Sequence, residues 1–520
     1  HLGGCIMAAQ LKHITISAPG FLGINSQDSP VGLDPAYASV ADNCVIDQLG
    51  RVGARKGFEE VTTNSAAVLG TSVGIEALTE YTSRTGVTTI FSAGNNTIFS
   101  GTTTLVACTL PAGYTITDNN WKIVSFNNDV YFFQKGHAPL ESIAGSTTLT
   151  LLPTTGGNAV PQGNELLAAY GRLWTCDITD NTYTIYWSSL LAGNDWHGGS
   201  AGSLDLTTVW PNGYDEVVAL AEHNNFLLIF GKKNIIVYSG ATSPNSDLTL
   251  HDTIEGTGCI ARDSIHSTGA DLLFLSSRGV MSLGRLLTQK SLPLNDISKN
   301  VRTDLLTFLE AEESSEGHRQ SIKAVYSPLD AFYLLTFPLS QVVYCFDMKG
   351  ALENGAYRVT TWSSLKPMSF SLLSNDQMYM GQAAGIVKYA GYLDGDVKYQ
   401  LRYFSNPNDF QTPANLKFLK KFNLTIIGGQ NTATALSWGY DYAATYSKQE
   451  FTFGNVNIAE YGLSEYNTEA EYTRSITVQT PSVNSSGSGS VVTVGIEAQI
   501  NNAAFSIQKI DILALIGRLI

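Results

Sequence analysis

The hydrophobic pattern of this chain repeats one unit, in which an apolar run, a polar turn and a second apolar run follow one another. Two short apolar runs around a turn predict a β-hairpin. The clearest copies begin at Val217, Ile265, Ile322 and Met368, and weaker copies begin near Thr88, Lys122 and Leu166. The clear copies lie roughly 46 to 57 residues apart, which is close to the repeat length of β-propeller blades. The chain is therefore predicted to be all-β, with a β-propeller over residues 66–400.

One segment departs from the hairpin pattern and shows a helical period instead. Apolar side chains recur three or four residues apart behind Asp296, a residue that favours a helix N-cap. These apolar positions are Ile297, Val301, Leu305 and Phe308. We predict one amphipathic helix over 296–309, inserted between blades with its apolar face buried, and a solvated acidic run over 310–313.

The two ends of the chain do not show the hairpin repeat of the middle part. Residues 1–65 have no helical period and are rich in turn-forming residues, which predicts an extended N-terminal arm with short strands. We expect this docking segment to pair by its strand edges with a neighbouring subunit or ring. Met7 is interpreted as the start, so that residues 1–6 are an extension. Residues 401–520 predict a C-terminal β-rich region, either a small β-sandwich or blades that close the ring, with 485–490 as a hairpin tip.

The composition adds two constraints. Charged residues make up 15% of the chain, below the roughly 25% of typical soluble proteins. Since interface cores are depleted of charge, we expect part of the surface to be buried between subunits. The net charge of −14 argues against tight non-specific binding of nucleic acid, which needs Lys and Arg to displace counterions from phosphates. A wall past which DNA slides without binding is compatible with this charge.

Cysteine usage and hydropathy bear on the compartment. The six cysteines are widely scattered and form no Cys-x-x-Cys pair: Cys5, Cys44, Cys108, Cys176, Cys259 and Cys345. They predict buried free thiols in a protein made in a reducing cytoplasm. No apolar stretch reaches the length of about 18 residues that a membrane helix needs, and no signal peptide is expected.

One segment has the spacing of a serine nucleophile elbow, Gly70-Thr71-Ser72-Val73-Gly74. Such an elbow requires a strand before the serine and a helix after it, in a chain that alternates strands and helices. The sequence after Gly74 predicts strands, so we interpret the segment as a glycine-rich turn. No catalytic residue is assigned, and the protein is not predicted to be an enzyme.

Signals for metals and cofactors are weak. The eight histidines are spread singly, without the spacing of a zinc site. Asp394-Gly395-Asp396 could contribute to a calcium site, but a hairpin turn explains this tripeptide more simply. We predict no metal and no cofactor. Propeller glycosidases pair carboxylates across blades, and spacing along the sequence does not reveal such pairs.

The segment Lys417-Phe418-Leu419-Lys420-Lys421-Phe422 alternates cationic and aromatic residues. Stacking and phosphate contacts combine in this way in proteins that bind single-stranded nucleic acid. A strand with Phe418 and Phe422 inward and its lysines solvated explains the same pattern. The overall acidity favours the strand.

Four groups of short motifs follow one another along most of the chain from Gly23 onward. The first group is Gly23–Pro30, Asp42-Asn43-Cys44, Gly50-Arg51 and Arg55-Lys56-Gly57-Phe58. The second is Ile185–Ser189, Asn194-Asp195-Trp196, Ala201–Leu206 and Val217–Tyr238. The third runs from the helical segment through Ala324-Val325-Tyr326, Phe332-Tyr333, Val343–Asp347 and Thr361-Trp362-Ser363, and the fourth from Phe505 to Arg518. In this order they resemble the tail nozzle (tail tubular or hub) proteins of short-tailed, podovirus-like bacteriophages.

The resemblance implies a structural virion protein without catalytic residues. Such a protein assembles in the host cytoplasm into a homohexameric ring in the virion tail, below the portal and adaptor proteins. The ring extends the DNA-ejection channel and anchors tail fibre or tailspike proteins, and double-stranded DNA passes through it without specific binding. Six copies of an acidic chain would give a wall that repels DNA wherever the charge faces the channel.

Two other classes of function stay open. The first is a carbohydrate-binding or carbohydrate-cleaving β-propeller protein, which the fold class alone allows. Unpaired cysteines and the missing signal peptide count against a secreted enzyme of this kind. The second is a host-recognition spike, but spikes are typically solenoids with repeats of about 20 residues, shorter than the repeat found here.

Overall fold

A computed structural model of the chain describes residues 10–30, 32–70, 74–154, 158–211, 213–289, 296–314, 316–383, 385–443, 445–453 and 478–519. Strands account for 49% of the residues and helices for 8%. The prediction of an all-β propeller with an additional C-terminal sheet region is therefore confirmed. Among the described helices, none is both long and apolar enough to cross a membrane.

Six blades and one smaller sheet form the propeller ring. Blade 1 consists of Ala77–Thr82, Thr88–Gly94, Thr97–Ser100 and Val106–Ala107. Blade 2 consists of Lys122–Phe126, Asp129–Phe133, Leu140–Ser142 and Thr150–Leu151. Blade 3 consists of Gly163–Ala169, Arg172–Ile178, Thr184–Trp187 and Gly202–Asp205. Blade 4 consists of Val217–His223, Phe226–Gly231, Ile235–Ser239 and Thr249–Ile254. The small sheet contains His266–Ser267, Leu272–Ser276 and Gly279–Ser282. Blade 5 contains Lys323–Ser327, Phe332–Phe337, Val342–Ala351 and Tyr357–Trp362, and blade 6 contains Ser369–Leu372, Met378–Gln382, Gly385–Tyr389 and Phe58–Glu60.

The predicted hairpins are the first two strands of successive blades, and their first strands pack against one another around the axis. Neighbouring blades bury aromatic side chains between them, as Phe91 of blade 1 and Phe132 of blade 2 do at 5.5 Å between ring centroids. A blade covered on both faces needs apolar residues at consecutive positions, which is why these strands read as continuous apolar runs. In blade 4, Asn224 and Asn225 both have positive φ, as a tight type I′ hairpin turn requires.

The N-terminal segment pairs with strands of its own chain. Gln10–Ser17 pairs along its whole length with the last strand of the chain, Phe505–Leu519. Tyr37–Asp42 connects blade 5 to Tyr399–Ser405 of the C-terminal region. Phe58–Glu60 is the outer strand of blade 6, so that it closes the propeller ring. The shorter strands of this segment are Gly23–Ile24, Cys44–Ile46 and Val52–Ala54.

The short strands predicted for the N-terminal segment are present, and the described ones pair with strands of the same chain. An extended backbone must satisfy its N–H and C=O groups, and the edges that satisfy them here belong to the same chain. The described strands of residues 10–60 therefore belong to the sheets of their own chain, and docking of this segment on a neighbouring subunit stays a prediction.

The C-terminal region is a sandwich of two sheets. One sheet contains Asn415–Gly428 and Phe505–Leu519 with the N-terminal strands Gln10–Ser17, Cys44–Ile46 and Val52–Ala54 and the short strands Val478–Gln479, Ser482–Asn484 and Ser488–Gly489. The other contains Tyr399–Ser405, Val492–Ile500, Ala433–Tyr440 and Ser447–Thr452, and it is continuous with blade 5 through Tyr37–Asp42. Their inner faces share one hydrophobic cluster, in which Phe422 and Trp438 lie 5.8 Å apart. Of the two predicted forms of this region, the structure shows the sandwich.

The described helices are short. They are Ser65–Leu69, Pro244–Asp247, Leu283–Gln289, Arg302–Glu312 and Glu316–Ser321, with 3₁₀ turns at Ile143–Gly145, Arg262–Ser264 and Lys299–Val301. The predicted inserted helix thus begins at Arg302 rather than at Asp296. Asp296 is no N-cap, because its buried carboxylate accepts a hydrogen bond from Arg302 Nε at 2.9 Å.

The burial predicted for this helix is mostly confirmed. Val301 and Leu305 are buried, whereas Phe308 is half-buried with its ring 6.4 Å from that of Phe337. The acidic run that follows is not uniformly solvated. Glu312 is buried and its Oε1 accepts a hydrogen bond from the Ser340 N–H at 3.0 Å, because the helix continues one turn further than its apolar residues indicate.

Candidate functional site: the propeller axis and the turn face

Charged side chains meet where the first strands of several blades begin. Lys122 opens blade 2, Glu165 lies in the first strand of blade 3, and Lys323 opens blade 5. Asp263, in the 3₁₀ turn before the small sheet, joins them. Its Oδ1 lies 2.9 Å from Lys122 Nζ and its Oδ2 lies 2.6 Å from Lys323 Nζ, while Lys122 also lies 3.2 Å from Glu165. We call these residues, with Arg262, the axial charge cluster.

Arg262 connects the cluster to the loop before blade 2 and to the first strand of blade 3. One guanidinium nitrogen donates to Asn164 Oδ1 at 2.8 Å, the other donates to Asn120 Oδ1 at 2.8 Å, and Nε donates to Asp263 at 3.1 Å. A buried charge is costly unless it is paired and hydrogen-bonded. The partners needed for that come from blades 2, 3 and 5 and the small sheet, so the cluster fixes these parts of the ring together.

The electrostatics of the cluster follow from burial and from its mixed charges. Burial alone would raise the pKa of Asp263, yet Arg262, Lys122 and Lys323 hold it well below its ordinary value. Burial lowers the pKa of Lys323 to about 8 despite the attraction of Asp263. A lysine with such a pKa can act as a base, but Lys323 Nζ already donates to Asp263 and Asn120. These bonds hold the first strand of blade 5 to the 3₁₀ turn before the small sheet and to the loop before blade 2.

A second buried cluster surrounds Arg55. Its guanidinium donates two hydrogen bonds to the Asp394 carboxylate, at 2.8 and 2.7 Å, and lies 4.1 Å from the centroid of the Tyr399 ring. Burial would lower the pKa of Arg55, but the bond to Asp394 raises it. Arg55 Nε also donates to Asn43 Oδ1 at 3.2 Å. The N-terminal segment, the loop after blade 6 and the C-terminal sandwich meet at this one side chain.

Two neighbours of Arg55 have backbone requirements of their own. Asn43 adopts a φ of 53° and donates its side-chain amide to the Gln400 carbonyl at 2.9 Å. A Cβ added to Gly57 would lie 1.7 Å from the Leu393 carbonyl oxygen, so only glycine fits there. The motifs Asp42-Asn43-Cys44 and Arg55-Lys56-Gly57-Phe58 are thus parts of a single structural junction.

The structure also locates the candidate metal and nucleophile residues. Asp394, considered as a calcium ligand, is the ion-pair partner of Arg55, and Asp396 is exposed. No three His, Cys, Asp or Glu side chains within the described ranges are grouped so that they could hold a metal ion. Ser72 lies outside the described residues. A helix, Ser65–Leu69, precedes it and a strand, Ala77–Thr82, follows it, which is the reverse of the order in a nucleophile elbow.

The Lys417–Phe422 segment lies in the strand Asn415–Gly428, as predicted, but its side chains face differently. Lys417 is buried and Phe418 is exposed, whereas Phe422 is buried as predicted. The pairing register shifts twice, between Asn415 and Lys417 and between Leu419 and Lys421, and such bulges redirect side chains. Lys417 Nζ donates to the Ser490 carbonyl at 2.7 Å, and burial lowers its pKa. The buried lysine therefore has a structural partner.

Free buried thiols are confirmed for the five cysteines within the described ranges: Cys44, Cys108, Cys176, Cys259 and Cys345. Burial raises the pKa of Cys108 and of Cys259 to about 12. These thiols are thus protonated at neutral pH and unreactive. Cys5 lies outside the described residues.

One face of the propeller exposes large apolar side chains. We call it the turn face, the face at which the first strand of each blade ends. The exposed fractions there are 65% for Val87, 57% for Ile143, 52% for Leu190, 62% for Leu191 and 62% for Leu329. Turns are normally polar, whereas these exposed positions carry large apolar side chains.

Blades 1 to 3 bring most of these turns together. The Asn127 side-chain amide of blade 2 donates to the Leu191 carbonyl of blade 3 at 2.9 Å. The Arg84 N–H of blade 1 donates to the Asn128 side chain of blade 2 at 3.0 Å. The sequence gives no sign of this surface, because its apolar residues come from separate loops that only the folded ring brings to one face.

Comparisons with known proteins give little beyond the fold. No protein-family model and no curated protein matches the chain. Among solved structures, YCF48 bound to D1 peptide matches with 11% identity and a TM-score of 0.36, over 62% of this chain and 93% of that one. The extracellular domain of a hybrid two-component system from B. thetaiotaomicron matches with 12% identity and a TM-score of 0.36, over 60% of this chain and 39% of that one. Similarities this low say nothing about function.

Proposed function

We propose that the chain is a structural subunit of the tail nozzle of a short-tailed bacteriophage. In this role, six copies form a ring below the portal and adaptor proteins, extend the channel for DNA ejection and anchor tail fibres or tailspikes. The proposal assigns the chain no catalytic step. It treats double-stranded DNA as a passing cargo that the acidic protein does not bind specifically.

The junction around Arg55 is the observation that carries the proposal. The N-terminal motifs in which the sequence resembles nozzle proteins include Asn43, Arg55 and Gly57, and these residues meet where the N-terminal segment, the propeller and the sandwich join. These motifs therefore join the propeller to the sandwich through one buried cluster of side chains. A propeller joined to a sandwich in this way suits a subunit of a ring through which DNA passes.

The turn face supports an assembly role independently. It exposes apolar side chains in adjacent turns of blades 1 to 3, and the chain as a whole is poor in charge. Both features are typical of surfaces that other subunits cover. We propose that this face contacts a neighbouring copy in the ring.

Sedimentation velocity of the purified full chain tests this contact. The wild type should form a species several times the mass of one copy, and the double variant Leu190→Asp/Leu191→Asp should shift the distribution toward single copies. Leu339→Asp is the matched control, since Leu339 is also an exposed leucine, in a blade 5 turn at the opposite face, and it should leave assembly unchanged. A wild type that stays monomeric up to high concentration would contradict the proposal, as would equal effects of both variants.

A further inference from the structure

The turn face also contains a pocket of about 340 Å³. It lies between the first strands of the small sheet, blade 5 and blade 6, beside the propeller axis. Residues that line it include His266, Ser267, Thr268, Tyr326, Phe370 and Leu372. Its volume is within the range of roughly 300 to 1,000 Å³ that small-molecule sites occupy.

The wall of the pocket combines apolar surface with uncharged polar groups. Tyr326, Phe370 and Leu372 supply two aromatic rings and an aliphatic side chain, and among the residues that the structure describes no Lys, Arg, Asp or Glu lines the pocket. The Tyr326 hydroxyl makes no hydrogen bond to another described residue. The Ser267 hydroxyl oxygen accepts a hydrogen bond from the Gly269 N–H at 3.1 Å, which leaves its proton available to a ligand.

Backbone groups add to these polar partners. The first strands His266–Ser267, Lys323–Ser327 and Ser369–Leu372 each pair with a neighbouring strand on one side only. The opposite edge of each strand faces the axis, and such an edge presents N–H and C=O groups that no other strand uses. Three edges converge on the pocket, so a ligand can find both donors and acceptors there.

We propose that this pocket binds an uncharged sugar ring. A pyranose presents a C–H face that packs on aromatic side chains such as Tyr326 and Phe370, and hydroxyls that bond to Ser267, to Tyr326 and to the strand edges. A charged ligand would lose its hydration without gaining an opposite charge. A purely apolar ligand would cover the hydroxyls and strand edges without satisfying them. This binding site goes beyond the nozzle role and does not depend on it.

Saturation-transfer NMR of the full chain is the test. The probes are the methyl glycosides of glucose, galactose and N-acetylglucosamine, with glucuronic acid as a charged probe and cyclohexanol as an apolar one. We expect at least one neutral glycoside to bind and to do so more tightly than the other two probes. Phe370→Ala should weaken its binding at least tenfold. Tyr442→Ala, at an exposed tyrosine in the sandwich, is the matched control and should bind as the wild type does.

A second variant keeps the test decisive if the half-buried Phe370 proves necessary for folding. Ser267 is exposed, so Ser267→Tyr should fold and should fill the pocket, abolishing the saturation signal. The inference is overturned if no neutral glycoside binds, if glucuronic acid or cyclohexanol binds more tightly, or if glycoside binding survives Ser267→Tyr.

Discussion

At the scale of single residues, the two buried charge clusters show how strongly the stability of this chain depends on individual side chains. Arg55 and Asp394 are separated by most of the sequence, yet they form a two-point ion pair with a fully buried guanidinium. Removing one partner of a buried pair leaves an uncompensated charge, which costs far more than the pair itself contributes.

We therefore expect Arg55→Met to lower the free energy of unfolding by about 3 to 5 kcal/mol. Urea denaturation followed by circular dichroism measures the change. Arg84→Met, at an exposed arginine, is the control and should stay within about 0.5 kcal/mol of the wild type. Equal, small effects of the two substitutions would show that the Arg55 junction does not hold the fold together.

His266 makes stability depend on pH. Burial and the nearby Lys122 charge lower its pKa from 6.5 to about 4. The unfolded chain then binds more protons than the folded chain between these two pH values, so stability falls as pH falls through this window. Asp263 and Glu165 of the axial charge cluster also have shifted pKa values, and a comparison of variant with wild type isolates the histidine.

The expected result is that His266→Gln reduces the stability lost between pH 7 and pH 4.5 by about 1 to 3 kcal/mol relative to the wild type. Urea titrations at the two pH values give this difference directly, and the data at pH 7 control for the effect of the substitution on packing. An identical loss in both proteins would mean that His266 is protonated in the folded state without cost.

At the scale of elements, the helix Arg302–Glu312 depends on a narrow buried face. Leu305 is fully buried in the main hydrophobic cluster, so Leu305→Ala should destabilise the protein by about 2 to 5 kcal/mol. Thermal or urea unfolding checks this. Glu310→Ala, at an exposed position of the same helix, should be nearly neutral, and a neutral Leu305→Ala would show that the helix contributes little to the core.

The N-terminal strands give a second prediction for elements. Deleting residues 7–58 removes two strands that pair with Phe505–Leu519, namely Gln10–Ser17 and Val52–Ala54, and part of the outer strand of blade 6. We expect the truncated chain to aggregate or unfold, because apolar strand edges become exposed. Sedimentation and circular dichroism of the truncated chain measure this outcome. A soluble, folded propeller would instead support the arm that the sequence alone predicts.

The same elements show how far sequence reasoning reaches. The hairpin Val217–Gly231 was predictable because its apolar runs and its Asn224-Asn225 turn are adjacent in sequence. The sequence predicts the burial of Lys417 and Phe418 wrongly, because a bulge breaks the two-residue period of the strand on which that prediction depends. Asp296 resembled an N-cap because its true partner, Arg302, is recognisable only once the 3₁₀ turn between them is known.

At the scale of the whole molecule, the functional features arise from contacts between distant blades. Arg262 donates hydrogen bonds to Asn120 before blade 2 and to Asn164 of blade 3. The apolar residues of the turn face come from separate loops. The pocket is lined by the first strands of three sheets. No local pattern encodes such sets, and the sequence accordingly predicted the propeller but none of these sites. The sequence resemblance gives the proposed role, and two of its N-terminal motifs meet at the Arg55 junction.

Negative-stain imaging of the purified full-length chain tests the central proposal most directly. The account predicts rings with sixfold symmetry and an open centre wide enough for duplex DNA, with the propellers as separate lobes around it. Single copies at every concentration, or closed assemblies without a central opening, would contradict it.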